Sequence, residues 1–433
     1  MAQIQPFRGL RFKSDLDLQK VSTPPYDVIS PAEQAAYYDM SPYNVIRLEY
    51  GKVLALDNDQ QNKYTRAGET LQAWLEEGAL VQEQAHTLYL YEQVFCMADG
   101  SKKSRKGIVT LVRLEEFSKK VVLPHEETLS KAKTDRFSLM STTDCNFSQI
   151  FSLFVDSERK ISTQLKLIAQ KPCDIAFTTP EGIEEKLWMI TEVSVIKLLQ
   201  AAFEDKQLFI ADGHHRYETA LNYRNALREQ NPDFKETDLF NYVMMMLVDM
   251  DDEGLVVFPT HRMVKDIADF DAQKIVAGLS ESFEVQTLPF INVSDVEKTL
   301  ATLIDQKAFA FYTGKQTYTL LKLKQLDAMN IALPDKDESY RNLDVSILHT
   351  LILDKHLGID MANMANQTNL TYTRDPQEAI DGVNSGAFQC AFLLNATKVF
   401  EIKDVSLANE KMPQKSTYFY PKLTTGLVMN KFR

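Results

Sequence analysis

A chain of 433 residues exceeds the size at which one hydrophobic core keeps growing, so two or three domains are expected. With 44% hydrophobic and 25% charged residues, the composition excludes a fibrous or largely disordered protein. Sixty acidic residues against 48 basic ones give a net charge of −12, a field that repels polyanions and disfavours nucleic acid as a partner.

The opening Met1-Ala2-Gln3-Ile4-Gln5-Pro6 lacks the basic and apolar regions of a secretory leader, and apolar runs such as residues 243–248 are too short to span a bilayer. Neither secretion nor membrane insertion is expected. Cys96, Cys145, Cys173 and Cys390 lie far apart without a Cys-x-x-Cys pair, which argues against a zinc ribbon or a dense disulfide framework and suits a reducing cytoplasm.

Residues 3–49 hold short β-like pieces interrupted by Pro24-Pro25, Pro31 and Pro42, so a loop-rich but ordered segment is expected. Tyr64, Ala67, Leu71, Trp74 and Leu75 recur at helical spacing and stop at Gly78, a helix with a glycine cap. Residues 87–97 and 108–114 are rich in β-branched and aromatic side chains and predict a long-looped hairpin with Asp99-Gly100 opening the connection. Helices follow over 161–170 and 194–203, then the strand 208–211 and a helix over 217–229. A second hairpin over 309–323 turns at Gly314-Lys315. Further on come a helix over 344–357, a short helix over 376–383 and the strand 388–394. Hairpins mixed with helices favour an α+β fold, and changes of pattern near Gly107 and Ile267 divide the chain into regions 1–107, 108–266 and 267–433.

Three segments carry candidate chemistry. In the first, an apolar strand runs into Asp212-Gly213-His214-His215-Arg216 and then into a helix. Glycine permits close backbone approach, and the free amides at the positive end of the helix attract an anion. This turn suits a phosphate, with Asp212 near a bound Mg²⁺ or the substrate. The alternative is an ordinary strand-to-helix turn capped by Asp212.

The second segment is Pro124-His125-Glu126-Glu127-Thr128, followed by Lys131, Lys133, Asp135 and Arg136. Its His-Glu pair suggests a zinc-protease helix, but position 129 is leucine and the second histidine ligand is absent. A carboxylate beside an imidazole remains, placed for a general base or for a helix N-terminal box. In the third, Met412-Pro413-Gln414-Lys415-Ser416-Thr417-Tyr418-Phe419-Tyr420-Pro421-Lys422, a cation and two hydroxyls framed by prolines could grip phosphate oxygens, or the segment could form a basic surface strand with a buried aromatic face. His261, within Pro259-Thr260-His261-Arg262, and His349 read equally well as core histidines. Neither a P-loop, a Gly-x-Gly-x-x-Gly nor a Gly-x-Ser-x-Gly signature is present.

Taken in order, Pro24-Pro25-Tyr26-Asp27-Val28-Ile29, Asp212-Gly213-His214-His215-Arg216, Pro259-Thr260-His261-Arg262 and the segment 412–427 resemble the bacterial and archaeal domain-of-unknown-function family ten-fifteen, described as SpoOJ/ParB-like. More distantly, the three chemical segments resemble those of free serine kinases of the ParB/sulfiredoxin-like superfamily, which carry Pro-His-Glu, Asp-Gly-His-His-Arg and Pro-Lys-Thr-Thr in the same order. The resemblance implies a ParB/sulfiredoxin-like core with a mixed sheet and flanking helices over 108–266, preceded by an α+β region, with the α+β region 267–433 completing the site.

It further implies Glu126 as general base, with Asp212 and His214 beside it in catalysis and Mg²⁺ on Asp212. Gly213, His215, Arg216, Lys415, Ser416 and Thr417 would hold the phosphates of ATP or ADP, and His125, Arg136 and His261 are candidates for the substrate. The activity implied is phosphoryl transfer to a small hydroxyl-bearing metabolite such as serine, by a cytoplasmic protein that binds a nucleotide. A ParB-like nucleotide-binding regulator, a DNA-binding protein and a phosphoester hydrolase are the alternatives. The chain departs from the kinase pattern in Gln414 ahead of Lys415, in a longer spacing between Glu126 and Asp212, and in the long region before Pro124.

Overall fold

Apolar runs rich in β-branched and aromatic residues between residues 88 and 249, joined by a short strand at residues 4–5, pair into one large sheet of the computed structural model, which describes residues 1–128 and 130–432, the side chain of Lys131 excepted. The chain divides into two compact units, one made of Met1–Pro124, Thr128–Leu255 and Pro421–Arg433, the other of His125–Glu127 and Val256–Tyr420. Both mix helices and sheet, so the α+β class holds.

The strands of that large sheet, all in the first unit, are β1 (Ile4–Gln5), β2 (Leu88–Cys96), β3 (Lys102–Arg113), β4 (Val122–Leu123), β5 (Ile150–Phe154), β6 (Ile175–Thr178), β7 (Glu184–Ile190), β8 (Leu208–Asp212) and β9 (Tyr242–Asp249). They lie in the order β4-β8-β5-β9-β3-β2-β7-β6, with β1 paired to β3. The pairs β4/β8 and β5/β9 are parallel and the others antiparallel. Strand β3 begins well before the apolar run at 108, because its polar start is held in register by charge: Glu92 stands opposite Lys106, and the two form an ion pair at 2.7 Å.

The longer helices in this unit are α1 (Pro31–Met40), α2 (Lys63–Glu76), α3 (Ser130–Thr143), α4 (Lys160–Ala169), α5 (Val193–Phe203) and α6 (His214–Gln230). The region 3–49 is therefore more helical than its prolines suggest. Pro31 occupies the first turn of α1, where its missing N–H costs nothing, and Ser30 and Glu33 close a capping box. One sheet face, with Leu88, Leu90, Ile108, Ile150, Ile210, Met245 and Leu247, packs against Ile161 and Leu165 of α4, Leu199 and Phe203 of α5 and Tyr217 of α6. Each such side chain removed from water contributes roughly 1.5–3 kcal/mol.

The opposite face carries charge at its centre. Gln93, Arg105 and Glu185 are cross-strand neighbours in register. Gln93 donates to Glu185 at 3.0 Å, and the Arg105 guanidinium donates to Gln93 and, at 2.6 Å, to the carbonyl of Pro421. Gln93 also reaches the Lys422 carbonyl at 3.0 Å, and Thr424 donates to Glu185 at 2.7 Å. The segment after residue 420 is thus laid across this face by groups the sheet must satisfy anyway.

In the second unit, β10 (His261–Val264), β11 (Phe283–Pro289), β12 (Ala308–Tyr312), β13 (Thr317–Leu323), β14 (Leu370–Thr373) and β15 (Cys390–Leu394) form an antiparallel sheet in the order β11-β13-β12-β15-β10-β14. Its apolar face packs on helices α7 (Val293–Thr302) and α8 (Pro376–Asn384) through Val296, Leu300, Ile380 and Val383. The helix expected over 344–357 is present but changes pitch, with a π-helical stretch at His349–Asp354.

Because Arg105 is 0% exposed and its cross-strand partners are buried with it, Arg105→Ala is expected to destabilise the protein by about 3–5 kcal/mol. Chemical denaturation measures this, and a midpoint equal to that of the unaltered protein would refute the anchoring role.

Candidate functional site

Strand β8 ends on Asp212 and helix α6 begins at His214, three residues before the apolar spacing indicated, so both histidines lie in its first turn. Gly213 joins the two in the left-handed conformation, φ 94°. A Cβ there would stand 2.8 Å from Arg216 Nε, so conformation and space both select glycine. The amides opening a 17-residue helix have no intrahelical acceptor and carry its positive dipole end. His214 is buried and His215 half-buried.

Two cations approach the same oxygen of Asp212: Lys422 Nζ lies 3.3 Å and Arg216 Nη2 3.5 Å from Oδ2. Arg216 Nη1 donates to the Gln149 carbonyl at 2.7 Å and to Ser148 Oγ at 3.2 Å. Ser148 donates in turn to Glu49 at 2.9 Å. Burial pushes the Glu49 carboxyl above its ordinary range, against the pull of Arg136 and Arg216.

Arg136 is 5% exposed; it donates to the Glu49 carbonyl at 2.9 Å, pairs with Asp135 and stacks 4.0 Å above the centre of the Tyr26 ring. Burial pushes the Asp135 carboxyl up, but Arg136, Lys63 and Tyr64 outweigh it and hold it at about 2. Lys133 pairs with Glu218 at 2.8 Å, while the side chain of Lys131 lies outside the described residues.

The second unit gathers the other two segments. The His125 carbonyl accepts from the Met412 amide at 2.7 Å, and Glu126 bridges Met412 in parallel. The His125 ring, 1% exposed, meets Thr417 Oγ1 at 3.2 Å through Nε2. Ser416 is buried, its hydroxyl donating to the Pro413 carbonyl and its own carbonyl accepting from Thr397 at 2.7 Å. Lys415 between them is exposed and left-handed, φ 57°.

His261 is 1% exposed on β10, with Nδ1 accepting from the Leu394 amide at 3.4 Å. Burial and the adjacent Arg262 hold its ring down to about 4.

The structure therefore brings the Asp-Gly-His-His-Arg turn together with Arg136 in one unit, and His125 and Glu126 with Lys415, Ser416 and Thr417 in the other. Sequence reasoning missed Lys422, Glu49, Ser148 and Gln149. Lys422 stands ten residues past Met412 in a stretch already marked by its prolines, whereas nothing local distinguishes the other three. Among the described residues no group of three or more His, Cys, Asp or Glu side chains could hold a metal, and no helix is long and apolar enough to cross a membrane.

A family model described as "Protein of unknown function (DUF1015)" matches residues 4–346. Among curated proteins none matches. Among solved structures, a mutant free serine kinase in complex with ADP is 13% identical, with 74% of this chain and 89% of that one covered and a TM-score of 0.35. A free serine kinase in complex with AMP is 14% identical over 69% of this chain and 83% of that one, TM-score 0.34. A conserved hypothetical protein from Pyrococcus furiosus is 14% identical over 70% and 89%, TM-score 0.32. At these TM-scores no ligand or residue role passes from those proteins to this chain.

Gly213→Ala is expected to cost roughly 1–3 kcal/mol, since the new methyl must displace the Arg216 guanidinium and adopt a left-handed backbone. Denaturation midpoints would show it, and an unchanged midpoint would contradict the tight turn. The depressed His261 pKa has its own signature. Between pH 6.5 and about 4 the unfolded chain binds the proton and the folded one does not, so stability falls as pH drops through that window, by up to about 3 kcal/mol. His261→Gln should flatten this slope in unfolding measured from pH 7 to 4; an identical slope would place the titration elsewhere.

Proposed function

The chain belongs to the DUF1015 family, and for this member we propose phosphoryl transfer from ATP or ADP to the hydroxyl of a small metabolite, with a free amino acid such as serine as the first acceptor to test. The observation that carries the reading is the turn at Asp212-Gly213. A carboxylate flanked by two cations stands at the mouth of a long helix whose opening amides are unclaimed by helical bonds. Phosphoryl transfer asks a protein mainly for positioning and for neutralisation of phosphate charge, and these are the groups that supply both.

In this reading the core is ParB/sulfiredoxin-like. The amides at Gly213, with His214, His215 and Arg216, hold the phosphates, and Lys415, Ser416 and Thr417 form a second phosphate-binding element. Glu126 takes the proton of the attacking hydroxyl. The residues present do not fit Mg²⁺ on Asp212: Lys422 and Arg216 already face its Oδ2, and among the described residues no group of three or more His, Cys, Asp or Glu side chains could hold a metal. Arg216 is braced by Gln149 and Ser148, so its contribution is a fixed charge beside Asp212.

The test is direct. Purified protein is incubated with ATP or ADP, Mg²⁺ and a panel of hydroxy amino acids, and phosphorylated product is sought by mass spectrometry. Glu126→Gln should lower turnover by about 100-fold or more while nucleotide still binds. Nucleotide binding with no product from any acceptor would favour a binder without transfer, and release of inorganic phosphate alone would favour a hydrolase.

A further inference from the structure

We propose that Arg262 is a buried positioning residue that charges the loop 413–417 for a diphosphate-bearing ligand. The proposal rests on the phosphoryl-transfer reading and adds to it the source of positive charge beneath the loop. Arg262 lies on β10 and is 0% exposed. Its Nε donates to His349 Nε2 at 3.3 Å, its Nη1 to the Thr260 carbonyl and its Nη2 to the Lys415 carbonyl at 3.4 Å, and the guanidinium faces the Tyr372 ring at 5.4 Å.

Every one of those acceptors is neutral. Among the described residues no carboxylate pairs with Arg262, and burial lowers its pKa only to about 10, so it stays a cation at neutral pH. Buried cations are ordinarily matched by an opposite charge, because desolvation alone is costly.

Three further features converge on the same place. Among the described residues the Lys415 carbonyl is the one contact of Arg262 that leads to an exposed residue, and Lys415 is left-handed. Among the described residues the amides of Gln414, Lys415 and Thr417 have no acceptor, and no ion pair engages the Lys415 ammonium. Successive amides in such a turn form a concavity suited to anions. Beside the guanidinium, His349 Nδ1 and Tyr372 Oη are buried without partners, and His349 opens the π-helical stretch, an irregularity frequent at functional sites. The hydroxyls of Ser416 and Thr417 are engaged with Pro413 and His125, so the anion is met by amides and by the charges of Lys415 and Arg262.

Pyrophosphate and inorganic phosphate serve as probes for the full chain, titrated calorimetrically at matched ionic strength, alongside nucleotide. Pyrophosphate should bind more tightly than phosphate, and Arg262→Met and Lys415→Ala should each weaken it by about tenfold or more, the range of a charge-assisted contact. Arg262→Lys should restore part of the affinity. Steady-state kinetics should show a raised KM for nucleotide with the KM for the acceptor unchanged, a split that a purely structural arginine would not produce.

Equal pyrophosphate affinity in wild type and Lys415→Ala overturns the proposal even if Arg262→Met fails to fold. Product formation with an unaltered nucleotide KM in both variants overturns it too, leaving the transfer reading standing. Arginine- and lysine-dependent pyrophosphate binding without any phosphorylated product upholds it and removes the transfer reading.

Discussion

Charge burial is the constraint from which the first unit is built. Lys422, Asp212, Arg216, Ser148, Glu49, Arg136, Asp135 and Lys63 form one unbroken series of ion pairs and hydrogen bonds that runs through strand ends, loops and helices far apart in sequence. Each member satisfies the next, so a group that would be costly alone becomes affordable as part of the series. The position of the Asp212 carboxylate follows from this rather than from the turn alone, because Arg216 is braced from behind by Gln149 and Ser148.

The sheet sets up that arrangement. Its helix-covered face is uniformly apolar, and its other face places Gln93, Arg105 and Glu185 side by side, too polar to be covered by a greasy helix. A segment of irregular backbone resolves the mismatch, since the Pro421 and Lys422 carbonyls and the Thr424 hydroxyl meet what the buried guanidinium, amide and carboxylate require. Lys422 reaches Asp212 because its neighbours are already pinned there.

Legibility in the sequence followed the range of the interactions. The helices Lys63–Glu76, Lys160–Ala169 and Val193–Phe203, and the hairpin of Ala308–Tyr312 with Thr317–Leu323, are written in local periodicity and turn residues and were readable. Pro31–Met40 was not, because proline, locally a breaker, opens a helix only with the Ser30 and Glu33 capping box in place. The polar start of strand Lys102–Arg113 was also hidden, its conformation being fixed by Glu92 across the hairpin. At the candidate site, glycine and clustered charge marked the Asp212 to Arg216 turn. Glu49, Ser148 and Gln149 carry no local mark, since their part depends on contacts spanning more than sixty residues of chain, as the separation of 67 between Arg216 and Gln149 illustrates.

The loop 413–417 holds a broader lesson in its two hydroxyls. The Ser416 side chain ties back to Pro413, and that of Thr417 meets the His125 ring. Lys-Ser-Thr in this chain is therefore a recipe for folding the peptide as much as for gripping a ligand. Evolution could preserve those letters in a descendant that had lost every trace of chemistry, or replace them in one that kept it, provided the bend at Lys415 survived. Kinship inferred from such a tripeptide is kinship of architecture.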